Sequence, residues 1–175
     1  MAKGDGLKVL ELFLKYDQKL EGKNNDNEAG RYYRLNNQPY CALHLSYLAE
    51  KVGNKFFQNI KDKTGKYYLT GCTSRYAAYC PSLYTYAKAK GILKTNPDKD
   101  VVNKGDIILF SFGKYKDGIF WSDHVGQIIS YNPKNGYFQT MEANTSLNGK
   151  LTNDGGGYSK KYRHKSLVTG FFSID

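Results

Sequence analysis

The sequence predicts an α+β fold in which N-terminal helices pack on a C-terminal antiparallel β-sheet. Three observations predict it. Apolar residues recur at helical spacing through the first half of the chain, over 6–20, 36–53 and 73–91. From Lys104 onward the period becomes strand-like, beginning with Ile107-Ile108-Leu109-Phe110. Two later runs, His124 to Tyr131 and Tyr137 to Glu142, are joined through Asn135-Gly136, which marks a hairpin, although the turn from Asn132 is longer than the tightest type.

In chain order, residues 6–20 carry Leu7, Val9, Leu10, Leu12, Phe13, Leu14 and Leu20 and read as an amphipathic helix. Glu21 to Gly30 reads as a loop. Asn24, Asp26 and Glu28 alternate there as in a calcium loop, but the carboxylates are too few and no glutamate closes the site, so a polar turn is the better reading. The helix over 36–53 starts with Asn37 or Gln38 as cap and Pro39 at the first helical position, and Gly53 ends it. A lysine-rich stretch over 54–70 follows. Over 73–91, Tyr76, Ala77, Cys80, Leu83, Tyr84 and Ala87 fall at helical spacing up to Gly91, with Pro81 as an interruption that divides the helix. The strands are 107–112, 124–131, 137–142 and 166–174, with a loop carrying Trp121 after the first and a glycine-rich loop over Gly155 to Gly157 before the last.

A chain of 175 residues with 40% hydrophobic and 15% aromatic residues is expected to fold as one domain spanning 1–175. No stretch approaches the roughly 20 apolar residues of a membrane span. No secretory signal is visible near Lys3, so work outside the cytoplasm would need a holin or a dedicated secretion system. The net charge of +10 points to an anionic partner, or to no more than a well-solvated surface. Neither zinc-ligand spacing nor a nucleic-acid motif accompanies that charge, so nucleic acid is not the expected partner. The three cysteines, Cys41, Cys72 and Cys80, fit one reactive thiol plus a Cys72–Cys80 disulfide, or three reduced thiols in a reducing compartment.

Cys41 carries the chemistry. With Leu45, Leu48 and Val52 it lies on one face of its helix, in the first turn, where unsatisfied backbone N–H groups favour thiolate over thiol. Alone, such a residue is more often a small buried thiol. The downstream strands supply what a nucleophile needs. His124 begins a strand, with Gly126, Ile128 and Ser130 on its side and open space at the glycine. Glu142 ends the neighbouring run, and Asn144 follows two residues later. A hairpin brings the start of one strand beside the end of the next, so His124 meets Glu142. The Cys41 helix tip across that edge completes a Cys–His–acid arrangement.

In Asn37-Gln38-Pro39-Tyr40-Cys41-Ala42, Lys104 to Phe110, Ser122-Asp123-His124-Val125-Gly126, Met141 to Thr145 and Gly170-Phe171, the sequence resembles the CHAP family, cysteine amidases and peptidases that cut bacterial peptidoglycan. The stretches occur in the family's order and span roughly residues 7 to 173. The resemblance implies a papain-like fold, a Cys41 nucleophile, a His124 base and a Glu142 orienting group with Asn144 in the same cluster. It implies Gln38 as an oxyanion-binding side chain beside the Cys41 backbone N–H, although a helix cap explains Gln38 equally. No metal or cofactor is implied. The departures are Tyr40 where many relatives carry tryptophan, Ala143 where glycine is common, and His44 where an apolar residue is usual. His44 reads as a rim histidine and not as a rival base, and His164 as exposed within a basic run.

The function expected on this resemblance is peptidoglycan hydrolysis at an amide bond, by an N-acetylmuramoyl-L-alanine amidase or a stem-peptide endopeptidase. The expected partners are peptidoglycan and anionic envelope polymers, and an immunity protein if the chain is an interbacterial toxin instead of a phage lysin. Two alternatives remain at this level: a non-enzymatic basic module that binds polyanions, and a cysteine acyltransferase of the same fold, since one thioester intermediate serves both reactions.

Overall fold

Helices come first and strands second. The computed structural model describes residues 3–35, 40–60, 80–112, 124–147 and 156–175. Among them the α-helices are α1 (Asp5–Leu14), α2 (Glu28–Tyr33), α3 (Cys41–Lys51) and α4 (Cys80–Ala89). The strands are β1 (Ile107–Phe110), β2 (His124–Asn132), β3 (Tyr137–Ser146), β4 (Gly156–His164) and β5 (Val168–Phe172). They form one five-stranded antiparallel sheet in the order β4-β3-β2-β1-β5. The α+β expectation holds. No helix among the described residues is long and apolar enough to cross a membrane.

The pleat sends alternate side chains to opposite faces of the sheet. Ile107, Leu109, Val125, Met141, Ala143 and Phe172 join Val9, Leu10, Phe13, Leu45 and Leu48 in the main core, between sheet and helices. Ile108, Phe110, Ile128, Phe138 and Phe171 form a smaller cluster from the alternate positions. α3 lies at the centre of the main core. It packs against α1, α2, β2 and β3, and every residue from Cys41 to Ala49 is buried. Its C-terminus closes as the sequence predicts. Gly53 has φ +81°, Gly53 N–H donates to Glu50 O (3.0 Å), and Asn54 N–H donates to Ala49 O (2.9 Å). That is the paired bonding that glycine's left-handed backbone permits.

Several boundaries differ from the expectation. α1 stops at Leu14, and the chain turns through Gln18 (φ +67°) so that Leu20 bridges to Gly157 and is exposed. The stretch read as a loop and polar turn contains α2, capped by Asn27, whose side-chain oxygen accepts from Gly30 N–H at 2.8 Å. α3 begins at Cys41 with Tyr40 at its N-cap position, later than the Pro39 start; Asn37, Gln38 and Pro39 lie outside the described residues. Pro81 is the second residue of α4, where a proline costs no intrahelical N–H bond; the part of the expected helix before Cys80 lies outside the described residues. Residues 73–79, with Cys72 and Trp121, also lie outside the described residues.

The largest departure is β4. Gly156 and Gly157, read as loop, and the basic run after them form a nine-residue strand on β3. β3 itself extends past Glu142 to Ser146, through a bulge between Ala143 and Thr145. Asn144 takes a φ of +54° at the bulge, so the left-handed position falls there and not at Ala143.

Candidate active site

Cys41 is the first residue of α3, and its sulfur accepts from the Ala42 backbone N–H at the helix tip. Tyr40, fully buried, fixes that tip. Its hydroxyl donates to Glu21 Oε2 at 2.6 Å and accepts from the backbone of Asn144, which ties the start of α3 to the β3 bulge. Burial, then the Glu21 carboxylate, raises the Tyr40 phenol far above its ordinary range, so it stays protonated and can donate.

His124 opens β2, and Gly126 of the same strand is paired with Glu142 of β3. Residues two apart on a strand share a face, which places the imidazole beside that carboxylate. His124 Nε2 and Glu142 Oε1 are 2.7 Å apart. The other ring nitrogen is left for Cys41, to which the imidazole is hydrogen-bonded. Gly126 does not leave an empty space by the imidazole. A Cβ there would lie 2.8 Å from Glu142 Cγ, so the glycine makes room for the glutamate side chain to cross it.

Glu142 is wholly buried, and among the described residues its side chain accepts from Arg163 and Thr140 and faces His124. Arg163 of β4 binds it two-pronged, Nη2 to Oε1 at 2.6 Å and Nε to Oε2 at 3.0 Å, and the Thr140 hydroxyl donates to Oε2 at 2.5 Å. Burial alone would raise this carboxyl. The imidazole of His124 and the guanidinium of Arg163 outweigh burial and hold it down at about 2. Burial likewise would lower His124, but the Glu142 charge and the Cys41 sulfur lift it to about 9. Cys41 is driven well below the ordinary thiol value, chiefly by a hydrogen bond from Cys80 and then, against the cost of burial, by His124 and the Ala42 N–H. The arrangement therefore rests as a thiolate–imidazolium pair beside a fixed carboxylate. It can attack an electrophilic carbon with the sulfur and deliver a proton from the ring.

The rings of Phe110 and Phe112 lie 6.2 and 5.7 Å from the imidazole, and the Arg163 guanidinium sits 4.8 Å over Phe112. Phe112 thus bridges the histidine and the arginine that holds its carboxylate.

The structure brings Cys41, His124 and Glu142 together as the sequence predicts, and separates other candidates from them. Among the described residues no hydrogen bond joins the Asn144 side chain to His124; Asn144 contributes through its backbone, to Tyr40. Gln38 and Cys72 lie outside the described residues. Cys80 opens α4, and its sulfur stands 3.5 Å from that of Cys41. His44 is no rim residue. It is fully buried, with the rings of Phe13, Tyr16 and Tyr158 at 5.0, 4.6 and 4.8 Å, and among the described residues neither ring nitrogen has a hydrogen-bond partner. Burial drops it to about 3, so it is neutral and takes no part in the Cys41 site. His164 is half-buried and accepts from Ser166 N–H at the end of β4. Among the described residues no group of three or more His, Cys, Asp or Glu is arranged to hold a metal ion.

Sequence reasoning missed Arg163, Tyr40 and Cys80 as parts of this site. Arg163 lay in a basic run read as surface, and its signal is positional. It pairs across the β3–β4 ladder with Phe138, on the face that also carries Thr140 and Glu142.

No protein-family model matches the chain, and no curated protein matches it. Among solved structures it is similar to the crystal structure of Ly7917, with a TM-score of 0.52 at 9% sequence identity. The match covers 96% of this chain and 61% of that one, so this chain spans less than two thirds of the neighbour's length. At that identity the likeness speaks for the fold alone.

Proposed function

We propose that the chain is a cysteine hydrolase that cleaves an amide bond of bacterial peptidoglycan, either between sugar and stem peptide or within the peptide, through a thioester on Cys41. One observation carries the catalytic part: a cysteine sulfur at a helix tip, hydrogen-bonded to an imidazole that lies 2.7 Å from a buried, arginine-held carboxylate. The choice of peptidoglycan rests on the CHAP resemblance, and the net charge of +10 suits a substrate embedded in anionic polymer.

In this mechanism the Cys41 sulfur attacks the amide carbon and the carbonyl oxygen takes the negative charge. The backbone N–H of Cys41, one of those at a helix start without an intrahelical acceptor, is a donor available to that oxygen. The His124 imidazolium gives its proton to the amine nitrogen as the C–N bond breaks, leaving a thioester. Neutral His124 then takes a proton from water, the hydroxide attacks the thioester, and expulsion of sulfur restores the thiolate–imidazolium pair. Glu142 keeps the imidazole oriented and favours its charged form throughout.

Digestion of purified cell walls with the wild-type chain and with Cys41→Ser tests this. Wild type is expected to solubilise the wall, Cys41→Ser to leave it intact, and His124→Ala to do the same. Mass analysis distinguishes the bonds: new amino termini on stem peptides mark an endopeptidase, and lactyl groups freed of peptide mark an amidase. Walls left intact by the wild type, or a Cys41→Ser variant as active as wild type, would overturn the reading.

A further inference from the structure

We propose that Cys41 and Cys80 form a reversible disulfide, with Cys80 acting as the resolving thiol when a small hydroperoxide oxidises Cys41. The two sulfurs already lie 3.5 Å apart, each on the first residue of a helix, Cys41 of α3 and Cys80 of α4. A disulfide requires about 2.05 Å, so the sulfurs must approach by roughly 1.5 Å, within reach of small side-chain rotations at the two helix starts. Both residues are about 95% shielded, with 4% and 5% exposure, which admits a peroxide more readily than a bulky thiol.

The chemistry of the two sulfurs is unequal in the way such a step needs. Cys41 is the thiolate, and the thiolate is the form that attacks a peroxide O–O bond. Its sulfur takes the near oxygen to become a sulfenic acid. The O–O bond breaks, and the departing alkoxide or hydroxide takes the His124 proton to leave as alcohol or water. Cys80 sulfur then attacks the Cys41 sulfenic sulfur, the S–O bond breaks, and water leaves with the Cys80 proton. Two sulfurs have together lost two electrons, and the peroxide has gained them. A dithiol reductant reverses the linkage by thiol–disulfide exchange. Without Cys80 in place, the sulfenic acid consumes a second and a third peroxide and continues to the irreversible sulfinic and sulfonic forms.

This pairing competes with the Cys72–Cys80 bridge considered from the sequence, because one sulfur serves only one partner. That the linkage silences catalysis rests on the hydrolase reading above; that it forms does not.

The test uses the full chain, reduced, then treated with a severalfold molar excess of hydrogen peroxide, blocked with an alkylating agent and analysed by peptide mass. Expected is a Cys41–Cys80-linked peptide in the wild type and in Cys72→Ser, with loss of two hydrogens in intact mass and return of both thiols on adding dithiothreitol. In Cys80→Ser, Cys41 is expected to accumulate as sulfinic and sulfonic acid that dithiothreitol does not restore. A Cys72–Cys80 or Cys41–Cys72 peptide in the wild type would overturn the proposal, as would Cys41 over-oxidation equal with and without Cys80, or no reaction at either thiol. Because the wild-type map stands alone, a Cys80→Ser variant that fails to fold does not blunt the test. A chain that forms the linkage but cuts no wall loses the hydrolase reading and keeps this one. A chain that cuts walls without forming it loses only this one.

Discussion

The proton shared by Cys41 and His124 rests on the ring because separate groups favour the same placement. The Cys80 thiol and the Ala42 N–H stabilise the sulfur anion, and Glu142 stabilises the imidazolium. Rapid alkylation of Cys41 by iodoacetamide is therefore expected to persist well below the ordinary thiol value of 9.0. Wall hydrolysis is expected to fall above about pH 9, where His124 loses the proton it must give to the leaving amine. Replacing Glu142 by Gln removes the main charge that raises His124. The basic limb should move to lower pH and kcat should fall by roughly 100-fold to 10,000-fold, the range spanned by losing a general acid–base contribution or an orienting carboxylate. An unmoved basic limb in Glu142→Gln would show that the carboxylate does not set the proton's position. Cys41 and His124 were legible in the sequence because each opens an element that periodicity marks, and Glu142 because the hairpin sets its strand beside that of His124. Tyr40 was not, since its contacts with Glu21 and the Asn144 backbone join segments far apart in the chain. His44 was misread because a helix buried on every face offers no polar rim, and its spacing from Cys41 says nothing of α1 beyond it.

At the scale of elements, the site is an agreement between one hairpin and one helix tip, with a strand behind them that holds the acid. The hairpin was legible because β2 and β3 are two runs of strand length that join through a turn with its own chemistry, Gly136 at φ +75°. β4 was not legible. Its residues, Gly-Gly-Tyr-Ser-Lys-Lys-Tyr-Arg-His, show no apolar alternation, because it lies at the edge of the sheet, where β3 is its one neighbouring strand and Lys160 is exposed. Missing β4 meant missing Arg163. α2 was obscured for another reason: six residues with a glycine inside them carry too little periodicity, and only the Asn27 cap signals a helix start. The close crossing of β2 and β3 at the site yields a sharp expectation for Gly126→Ala. The new Cβ would sit 2.8 Å from Glu142 Cγ and 3.0 Å from the Met141 carbonyl oxygen, and the backbone contact cannot yield as a side chain can. Thermal unfolding should show a loss of about 1–3 kcal/mol, the usual cost of overpacking, with the fold retained. Cys41 alkylation should slow and turnover drop further than stability alone explains, because Glu142 is pushed off the imidazole. Full activity in Gly126→Ala would mean that Glu142 does not need to cross that strand.

For the whole molecule, the same ionisations govern stability against pH. His124 alone, raised from 6.5 to about 9, would contribute stability below 6.5 that is lost as pH rises through 9. Cys41, depressed from 9.0, contributes with the opposite slope. Between these values the pair holds one proton in both states, on the ring when folded and on sulfur when unfolded, so stability is flat there. Glu142, depressed from 4.5 to about 2, contributes above 4.5 and loses that contribution as pH falls through 2. His44 dominates the range between. It is folded neutral, depressed from 6.5 to about 3, so below 6.5 the unfolded chain binds a proton that the native one refuses. Each pH unit in that interval is expected to cost about 1 kcal/mol from this residue alone. Its cage of Phe13, Tyr16 and Tyr158 rings suits an aromatic replacement, and neither nitrogen has a bond to lose among the described residues. His44→Phe is therefore expected to cut walls as well as wild type while unfolding at lower pH, with a shallower fall in stability between pH 6.5 and about 3. Urea unfolding at a series of pH values measures that slope. An unchanged slope in His44→Phe would place the acid sensitivity elsewhere, and lost wall hydrolysis with the fold intact would return His44 to the catalytic account.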